Sequence, residues 1–169
     1  MTTTHMRTLF TAAATVALMA APAALRAQES GLPLGSSAPS AMLQTLDGRA
    51  VNLAQIVGKG PAVVEFWATW CENCDHLLPA VQKAYTTYGN RVKFVGVSVN
   101  VNQSPKRVQL HVAKYKVPGL QLYDVNGKAT GAWDVPATSH VVVIGRNGKV
   151  VYTGVGGDQN LDAAIRKAL

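Results

Sequence analysis

Two short runs of apolar residues, at 62–67 and 92–99, dominate the hydrophobic pattern of this chain. Both are rich in Val and Phe, which is typical of central strands that are covered on both faces. Between them, apolar residues such as Leu77 and Val81 recur at helical spacing, so residues 74–88 are predicted to form an amphipathic helix. A strand, a helix and a second strand in this order predict a parallel βαβ unit.

Turn signals divide the rest of the chain into further elements. Asp47-Gly48 and Asn147-Gly148 are turn dipeptides of β-hairpins, and Ser104-Pro105 has the form of a helix start. The predicted elements are hairpins of residues 41–46 with 49–53 and 140–144 with 149–153, a strand at 120–123, and helices at 105–116 and 160–169. This order predicts an α/β fold, a three-layer sandwich with a mixed central sheet and an N-terminal β-hairpin.

The first 27 residues have the composition of a targeting segment. Arg7 is followed by a stretch, 8–25, that is almost purely apolar and rich in Ala. We therefore predict a signal peptide at 1–27 that exports the protein to the periplasm; the alternative is an uncleaved anchor in the inner membrane. Residues 28–40, rich in Gly, Pro and Ser, are a predicted linker, and residues 41–169 form a single domain.

Charge and composition narrow the classes of partner. The chain is 48% hydrophobic and 15% charged, which is typical of a globular protein rather than a disordered one. Its net charge of +7 is spread singly or in pairs, as in Lys106-Arg107. Because no basic stripe is interleaved with aromatic residues, we expect no nucleic acid partner, and only a mild preference for acidic partners or anionic lipid surfaces.

The only two cysteines are spaced as Cys71-Glu72-Asn73-Cys74, directly after the first apolar run. A buried strand that leads into CxxC and a helix indicates two thiols that cycle with a disulfide, because a helix N-terminus stabilises a thiolate. The same spacing also forms half of many zinc sites, and a stable structural disulfide is a further alternative.

The stretch from Phe66 to Cys74, Phe-Trp-Ala-Thr-Trp-Cys-Glu-Asn-Cys, resembles the FWAxWCxxC motif of the thioredoxin superfamily. Nearly all of the chain after the linker resembles the exported TlpA/ResA-like (redoxin) branch, including the Asp47-Gly48 hairpin. The resemblance implies a thioredoxin-like fold and a thiol-disulfide oxidoreductase that exchanges its disulfide with protein thiols. It also implies reduction of partners such as apocytochrome in cytochrome c maturation, a membrane electron donor, a monomer, and no cofactor besides the Cys71–Cys74 disulfide.

Three residues carry the implied catalysis. Cys71, at the mouth of the helix, is the expected nucleophile, and Cys74, expected to be more buried, resolves the mixed disulfide. Glu65 matches the buried acid of thioredoxins and is the expected proton acceptor for Cys74, with a raised pKa. The alternative for Glu65 is a surface position or an ion pair with a lysine such as Lys59. Glu72 places a negative charge beside Cys71, which disfavours its thiolate and predicts a reducing protein.

The expected partner-binding residues are Trp70, Thr138 and Ser139. Ser139 stands where the family carries a cis-proline against the CxxC motif, so the Thr138–Ser139 bond is expected to be trans or strained. The alternative is a shifted loop in which Pro136 takes that place. The family's loop binds partner peptides by adding a strand and shields the thiols from metals.

A copper(I) chaperone is the second functional hypothesis. Two thiolates and one imidazole, from Cys71, Cys74 and His140, make a soft trigonal site that suits Cu(I). For the leading hypothesis we expect no metal. Two further histidines, His76 and His111, are predicted to be exposed residues on helix surfaces.

Overall fold

The computed structural model describes residue 1 and residues 31–169, the latter in seven strands and five helices. The strands are β1 (Met42–Thr45), β2 (Ala50–Asn52), β3 (Ala62–Trp67), β4 (Lys93–Val99), β5 (Leu120–Asp124), β6 (His140–Ile144) and β7 (Val150–Val155). The helices are α1 (Leu53–Val57), α2 (Glu72–Tyr88), α3 (Pro105–Tyr115), α4 (Lys128–Ala132) and α5 (Leu161–Arg166).

All seven strands form one mixed sheet, in the order β2-β1-β5-β4-β3-β6-β7. β4 pairs in parallel with β3 on one side and with β5 on the other. The four outer pairs, β2 with β1, β1 with β5, β3 with β6 and β6 with β7, are antiparallel. The predicted βαβ unit is therefore the centre of the sheet, and the two predicted hairpins form its edges. The α/β thioredoxin-like fold with an N-terminal β-hairpin is confirmed.

Helices cover the sheet on both faces, because the side chains of each central strand alternate between two apolar layers. One layer joins Val64 and Phe66 of β3 to α1 and α4. The other joins Val63 of β3 to α2 and α5, and continues at its end into a third cluster that contains Trp67 and both cysteines. Glu65 lies between Val63 and Trp67 in β3, so alternation places it on the same face as the cysteines.

Two short helices, α1 and α4, were not predicted from the hydrophobic pattern. Asn52 ends β2 one residue early because its side chain accepts the backbone N–H of Ala54 at 3.0 Å and starts α1. At α4 the carboxylate of Asp124 accepts the backbone N–H of Thr130 at 2.8 Å. Each helix has five residues, so helical periodicity has little room to show in the sequence.

The predicted signal peptide and the first residues of the predicted linker lie outside the described residues, so both remain predictions. The described part of that linker, 31–40, packs on the domain: Leu32 is only 7% exposed, and the N–H of Gly35 donates to the carbonyl of Val150 at 2.8 Å. Within the described part of the chain, no helix has the length and apolar composition needed to cross a membrane.

Candidate active site

A disulfide joins Cys71 and Cys74 at the N-terminus of α2. Cys71 is the N-cap residue, and its Sγ accepts the backbone N–H of Cys74 at 3.1 Å. The same N–H also donates to the Cys71 carbonyl at 3.0 Å, so the cap directs a shared N–H of the first helical turn at the sulfur that would carry the negative charge after reduction. In this oxidised form the two cysteines are equally buried, at 5% exposure each, so the expected difference in their burial is not seen.

The loop before Cys71 is held by hydrogen bonds from the β4–α3 connection. The Thr69 N–H donates to the Gln103 side-chain oxygen at 2.9 Å, and Trp70 Nε1 donates to the Val101 carbonyl at 2.8 Å. The Gln103 amide also donates to Ser98 Oγ at 2.9 Å, which fixes its orientation. Trp70 keeps 44% of its surface exposed beside the disulfide. Sequence reasoning missed Gln103, because an amide in a loop carries no signal of its own.

Ser139 is buried against the CxxC motif, as the position of the family's proline requires. Its hydroxyl lies 2.9 Å from the Gly156 carbonyl oxygen and 3.3 Å from that of Asn73, between the two cysteines. The Thr138–Ser139 bond is trans, since Gly60–Pro61 is the one cis peptide among the described residues. The strain lies in the backbone of Ser139 instead: its φ is +61°, a left-handed conformation that costs an L-residue about 1 kcal/mol.

The neighbours of Ser139 in this loop are more accessible. Thr138 is half-buried, and Pro136 is exposed. Pro136 therefore does not take the place beside the cysteines, and the alternative of a shifted loop is wrong. Thr138 and Trp70 offer accessible surface near the disulfide.

Glu65 has no hydrogen bond and no ion pair within the described residues, so it does not pair with Lys59. It faces Gly96 of β4 and Val141 of β6 in the sheet. Burial, with no compensating partner, raises the pKa of this carboxyl from its ordinary value of 4.5 to about 7. The surroundings of Glu65 therefore agree with the predicted rise of its pKa.

Glu65 and Cys74 line the same small cavity. Its volume is about 10 Å³, close to the space that one water molecule needs. The other residues that line it are Trp67, Asp75, Leu78, His111 and Val117. A water-sized space lined by Cys74 and by Glu65, whose carboxyl has a pKa of about 7, is an arrangement that allows proton exchange between the two residues through a water molecule.

The prediction for His111 as an exposed helix residue is wrong. Its side chain is 11% exposed, and its ring lies 5.3 Å from the Trp67 ring and 4.5 Å from the Tyr115 ring, measured between centroids. Burial, the largest influence, lowers the pKa of His111 below its ordinary value. His76, by contrast, is exposed as predicted, with its Nε2 3.8 Å from Asp158.

His140 lies apart from the cysteines. Its ring is fully buried and lies near Phe66, at a centroid distance of 6.3 Å, on the sheet face opposite to that of Glu65. Neither of its ring nitrogens has a hydrogen bond of good geometry; burial lowers the pKa of His140, and a weak contact with the backbone of Gly154 opposes this effect. Among the described residues no three His, Cys, Asp or Glu side chains are grouped to hold a metal ion, so the structure does not assemble the copper set of Cys71, Cys74 and His140.

Comparison with protein families and known proteins gives a consistent result. The family model described as Redoxin matches residues 33–169. The chain is 30% identical over 122 residues to the thiol-disulfide oxidoreductase ResA of Bacillus subtilis, which covers 72% of this chain and 67% of ResA. It is 32% identical over 101 residues to the thioredoxin-like protein YneN of the same organism, covering 59% of each chain.

Solved structures share the fold. The dsbF protein of MTB, solved in mixed oxidised and reduced forms, aligns with a TM-score of 0.64 and 28% identity, over 76% of this chain and 92% of that one. The thioredoxin domain of a thiol-disulfide oxidoreductase from Bacteroides vulgatus aligns with a TM-score of 0.69 over 82% of this chain and 99% of its own length. At 20% identity, the second likeness supports the fold alone.

Proposed function

Since the chain belongs to the Redoxin family and is a thiol-disulfide oxidoreductase of the ResA type, we propose that it reduces disulfides of other proteins in the periplasm. The observation that carries this proposal is the arrangement at the start of α2. The Cys71–Cys74 disulfide caps the helix, and the unpartnered carboxyl of Glu65 shares a water-sized cavity with Cys74. The location rests on the predicted targeting segment at 1–27.

The reaction runs in two exchanges, starting from the reduced enzyme. The Cys71 thiolate attacks a sulfur of the partner's disulfide; a mixed disulfide forms, and one partner thiolate leaves. The Cys74 thiol then gives its proton to Glu65, and its thiolate attacks the Cys71 sulfur. The Cys71–Cys74 bond forms and the second partner thiolate leaves, so two electrons have passed to the partner. A membrane electron donor restores the dithiol.

Two acidic residues near the disulfide support the reducing direction. Glu72 and Asp75 lie exposed in the first turn of α2. Their negative charges oppose the Cys71 thiolate, whereas the helix N-terminus favours it. A less stable Cys71 thiolate raises the free energy of the reduced form and shifts the equilibrium towards the disulfide, which makes the protein a better reductant. Proteins in the course of cytochrome c maturation are the partner class that this direction suggests.

Partner proteins are proposed to bind at Trp70, Thr138 and Ser139. Trp70 is exposed, and Ser139 holds the loop against Asn73 between the two cysteines. An extended peptide that adds a strand along Thr138–Ser139 would bring its own cysteine to Cys71.

The test is reduction of insulin disulfides by the purified, reduced domain, together with titration of the potential in thiol buffers. We expect turnover by the wild type, none by Cys71→Ser, and a trapped mixed disulfide in Cys74→Ser, because only Cys74 can release the partner. A potential at the strongly oxidising end of the known range contradicts the reducing direction. Absence of turnover by the wild type contradicts the proposed function itself.

A further inference from the structure

Ser139 has no proline ring to fix its strained backbone, so hydrogen bonds from another segment hold it beside the disulfide. Its carbonyl accepts the N–H of Gly156 at 3.1 Å and Nε2 of Gln159 at 3.0 Å. Its hydroxyl lies 2.9 Å from the Gly156 carbonyl oxygen. The turn at 156–159, between β7 and α5, therefore contacts both the backbone and the side chain of Ser139.

The half-buried side chain of Gln159 makes three of the hydrogen bonds in this turn. Its amide nitrogen donates to the Ser139 carbonyl and, at 2.7 Å, to the Gly156 carbonyl. Its Oε1 accepts the hydroxyl of Tyr152 at 3.1 Å. Burial raises the pKa of Tyr152 above its ordinary value, so the hydroxyl keeps its proton and donates. The reversed amide would place its oxygen against two carbonyl oxygens, so the contacts fix one orientation.

Two glycines leave the space that this arrangement needs. A Cβ at Gly154 would collide with the Tyr152 hydroxyl and lie 2.7 Å from Oε1 of Gln159, so a side chain there would disrupt their hydrogen bond. A Cβ at Gly157 would lie 2.6 Å from Nδ1 of His76 on α2. The turn thus packs closely against the helix that carries the cysteines.

We infer that Gln159 is a positioning residue, which holds the Ser139 loop in the shape that receives an extended segment of a partner protein. The inference rests on the proposed function, because it concerns partner binding at the same dithiol. Within residues 31–169, neither the N–H nor the carbonyl of Thr138 has a hydrogen bond, so both can pair with a partner strand. Because Thr138 directly precedes Ser139, the direction of these two groups depends on how Ser139 is held.

The experiment compares a protein substrate with a small probe. Reduced protein is oxidised by excess insulin or by excess dithiobisnitrobenzoate, and the second-order rate constant of each reaction is measured by stopped flow. In both reactions Cys71 attacks the disulfide of the oxidant and Cys74 releases the second thiolate, so two electrons leave the dithiol. The small probe has no peptide chain to pair with Thr138. The ratio of the insulin rate constant to the probe rate constant therefore reports on the loop and cancels changes in the reactivity of Cys71.

Gln159→Met keeps the length of the side chain but removes its hydrogen bonds. We expect it to lower the ratio about tenfold, because a loop that is not held must be ordered whenever a partner binds. The rate constant with the small probe should stay within about twofold of the wild type, since the helix N-terminus still activates Cys71. Gln82→Met is the matched control and should change neither rate constant: Gln82, further along α2, also donates to two backbone carbonyls, those of Tyr115 and Lys116.

Tyr152→Phe tests the same contacts without changing Gln159, and it serves if Gln159→Met does not fold. It should lower the ratio about threefold, because it removes only the hydrogen bond that orients the amide. If Tyr152 acts through Gln159, the double variant Gln159→Met/Tyr152→Phe should have the same ratio as Gln159→Met alone.

A loss of stability without a role in partner binding would leave the ratio unchanged. A ratio in Gln159→Met within about twofold of the wild type, or an equal fall in Gln82→Met, overturns the inference alone. A parallel fall of both rate constants also overturns it, because the damage then lies at the dithiol rather than in the loop. If the reduced wild type reacts with the small probe but not with insulin, the proposed reduction of proteins fails instead, so the two failures are distinguishable.

Discussion

Glu65, which is half-buried, and His140, which is fully buried, are two titratable residues that lie almost side by side in the sheet, yet their surroundings are opposite. Glu65 of β3 pairs with Val141, the residue after His140. Glu65 faces the disulfide and a water-sized cavity, whereas His140 faces the apolar layer that contains Phe66. Burial alone therefore does not mark a functional group; access to a reactive atom and to solvent does.

The two residues also titrate in opposite senses. Burial raises the pKa of Glu65 to about 7, so the folded protein holds this proton more tightly than the unfolded chain does. Stability falls as pH rises from 4.5 to about 7. Burial lowers the pKa of His140, so the folded protein binds this proton less tightly, and stability falls as pH drops below 6.5. Between pH 4.5 and 6.5, Glu65 and His140 thus change stability in opposite directions as the pH rises.

Glu65→Gln is expected to have the largest effect. Because glutamine cannot accept a proton, release of the partner by Cys74 should slow about 100-fold. At pH above 7 the variant should be more stable than the wild type by about 3 kcal/mol, since each unit of pKa shift is worth about 1.4 kcal/mol. Denaturant unfolding at several pH values and insulin turnover measure the two effects.

Asp158→Asn is the control for this prediction, because it replaces a carboxylate by an amide at a site that is 92% exposed, where loss of the charge should change stability by less than about 1 kcal/mol. If Glu65→Gln keeps the wild-type loss of stability between pH 4.5 and 7, then Glu65 does not titrate there, and its role as a proton acceptor loses its support.

Gly31→Ala tests how closely residue 31 packs against the ring of His140. A Cβ at residue 31 would lie 2.5 Å from Cε1 of His140, and the glycine φ is +94°. Overpacking and backbone strain together should lower the free energy of unfolding by about 2 kcal/mol. Gly35→Ala is the matched control: its φ of +83° gives similar strain, but its Cβ would meet nothing within 4 Å. Equal losses in both variants, measured by denaturant unfolding, would show that no steric contact with His140 exists.

The contrast between Glu65 and His140 explains how far the sequence could predict the site. Cys71, Cys74 and Glu65 were predictable because local features fix them: one strand, its end and the helix that follows. Ser139 was predictable through the family resemblance, because it stands at the family's cis-proline position, directly before the strand that begins at His140. The fold was predictable from local features as well, since its central strands are continuous apolar runs.

The positions of the histidines depend on packing between distant segments, so the sequence could not predict them. His111 faces inward because α3 places it against Trp67, about forty residues earlier in the chain, and the ring finds space there. His140 follows Ser139 directly, which suggested proximity to the cysteines. Strand alternation instead turns successive side chains to opposite faces, and the left-handed φ of Ser139 precedes that strand.

His140→Leu is expected to have the smallest effect and sharpens the comparison most directly. Leucine has a similar volume and removes two buried nitrogens that lack hydrogen bonds, which should stabilise the protein by about 1 kcal/mol near pH 8. The gain should grow as pH falls below 6.5, because leucine takes up no proton on unfolding; His111, whose pKa is also lowered, retains part of the acid dependence. Turnover should stay within about twofold of the wild type, since the ring lies on the face opposite the disulfide. A gain independent of pH in thermal unfolding at pH 5 and 8 would mean that burial does not lower the pKa of His140. A large loss of turnover would mean that His140 is functionally linked to the site.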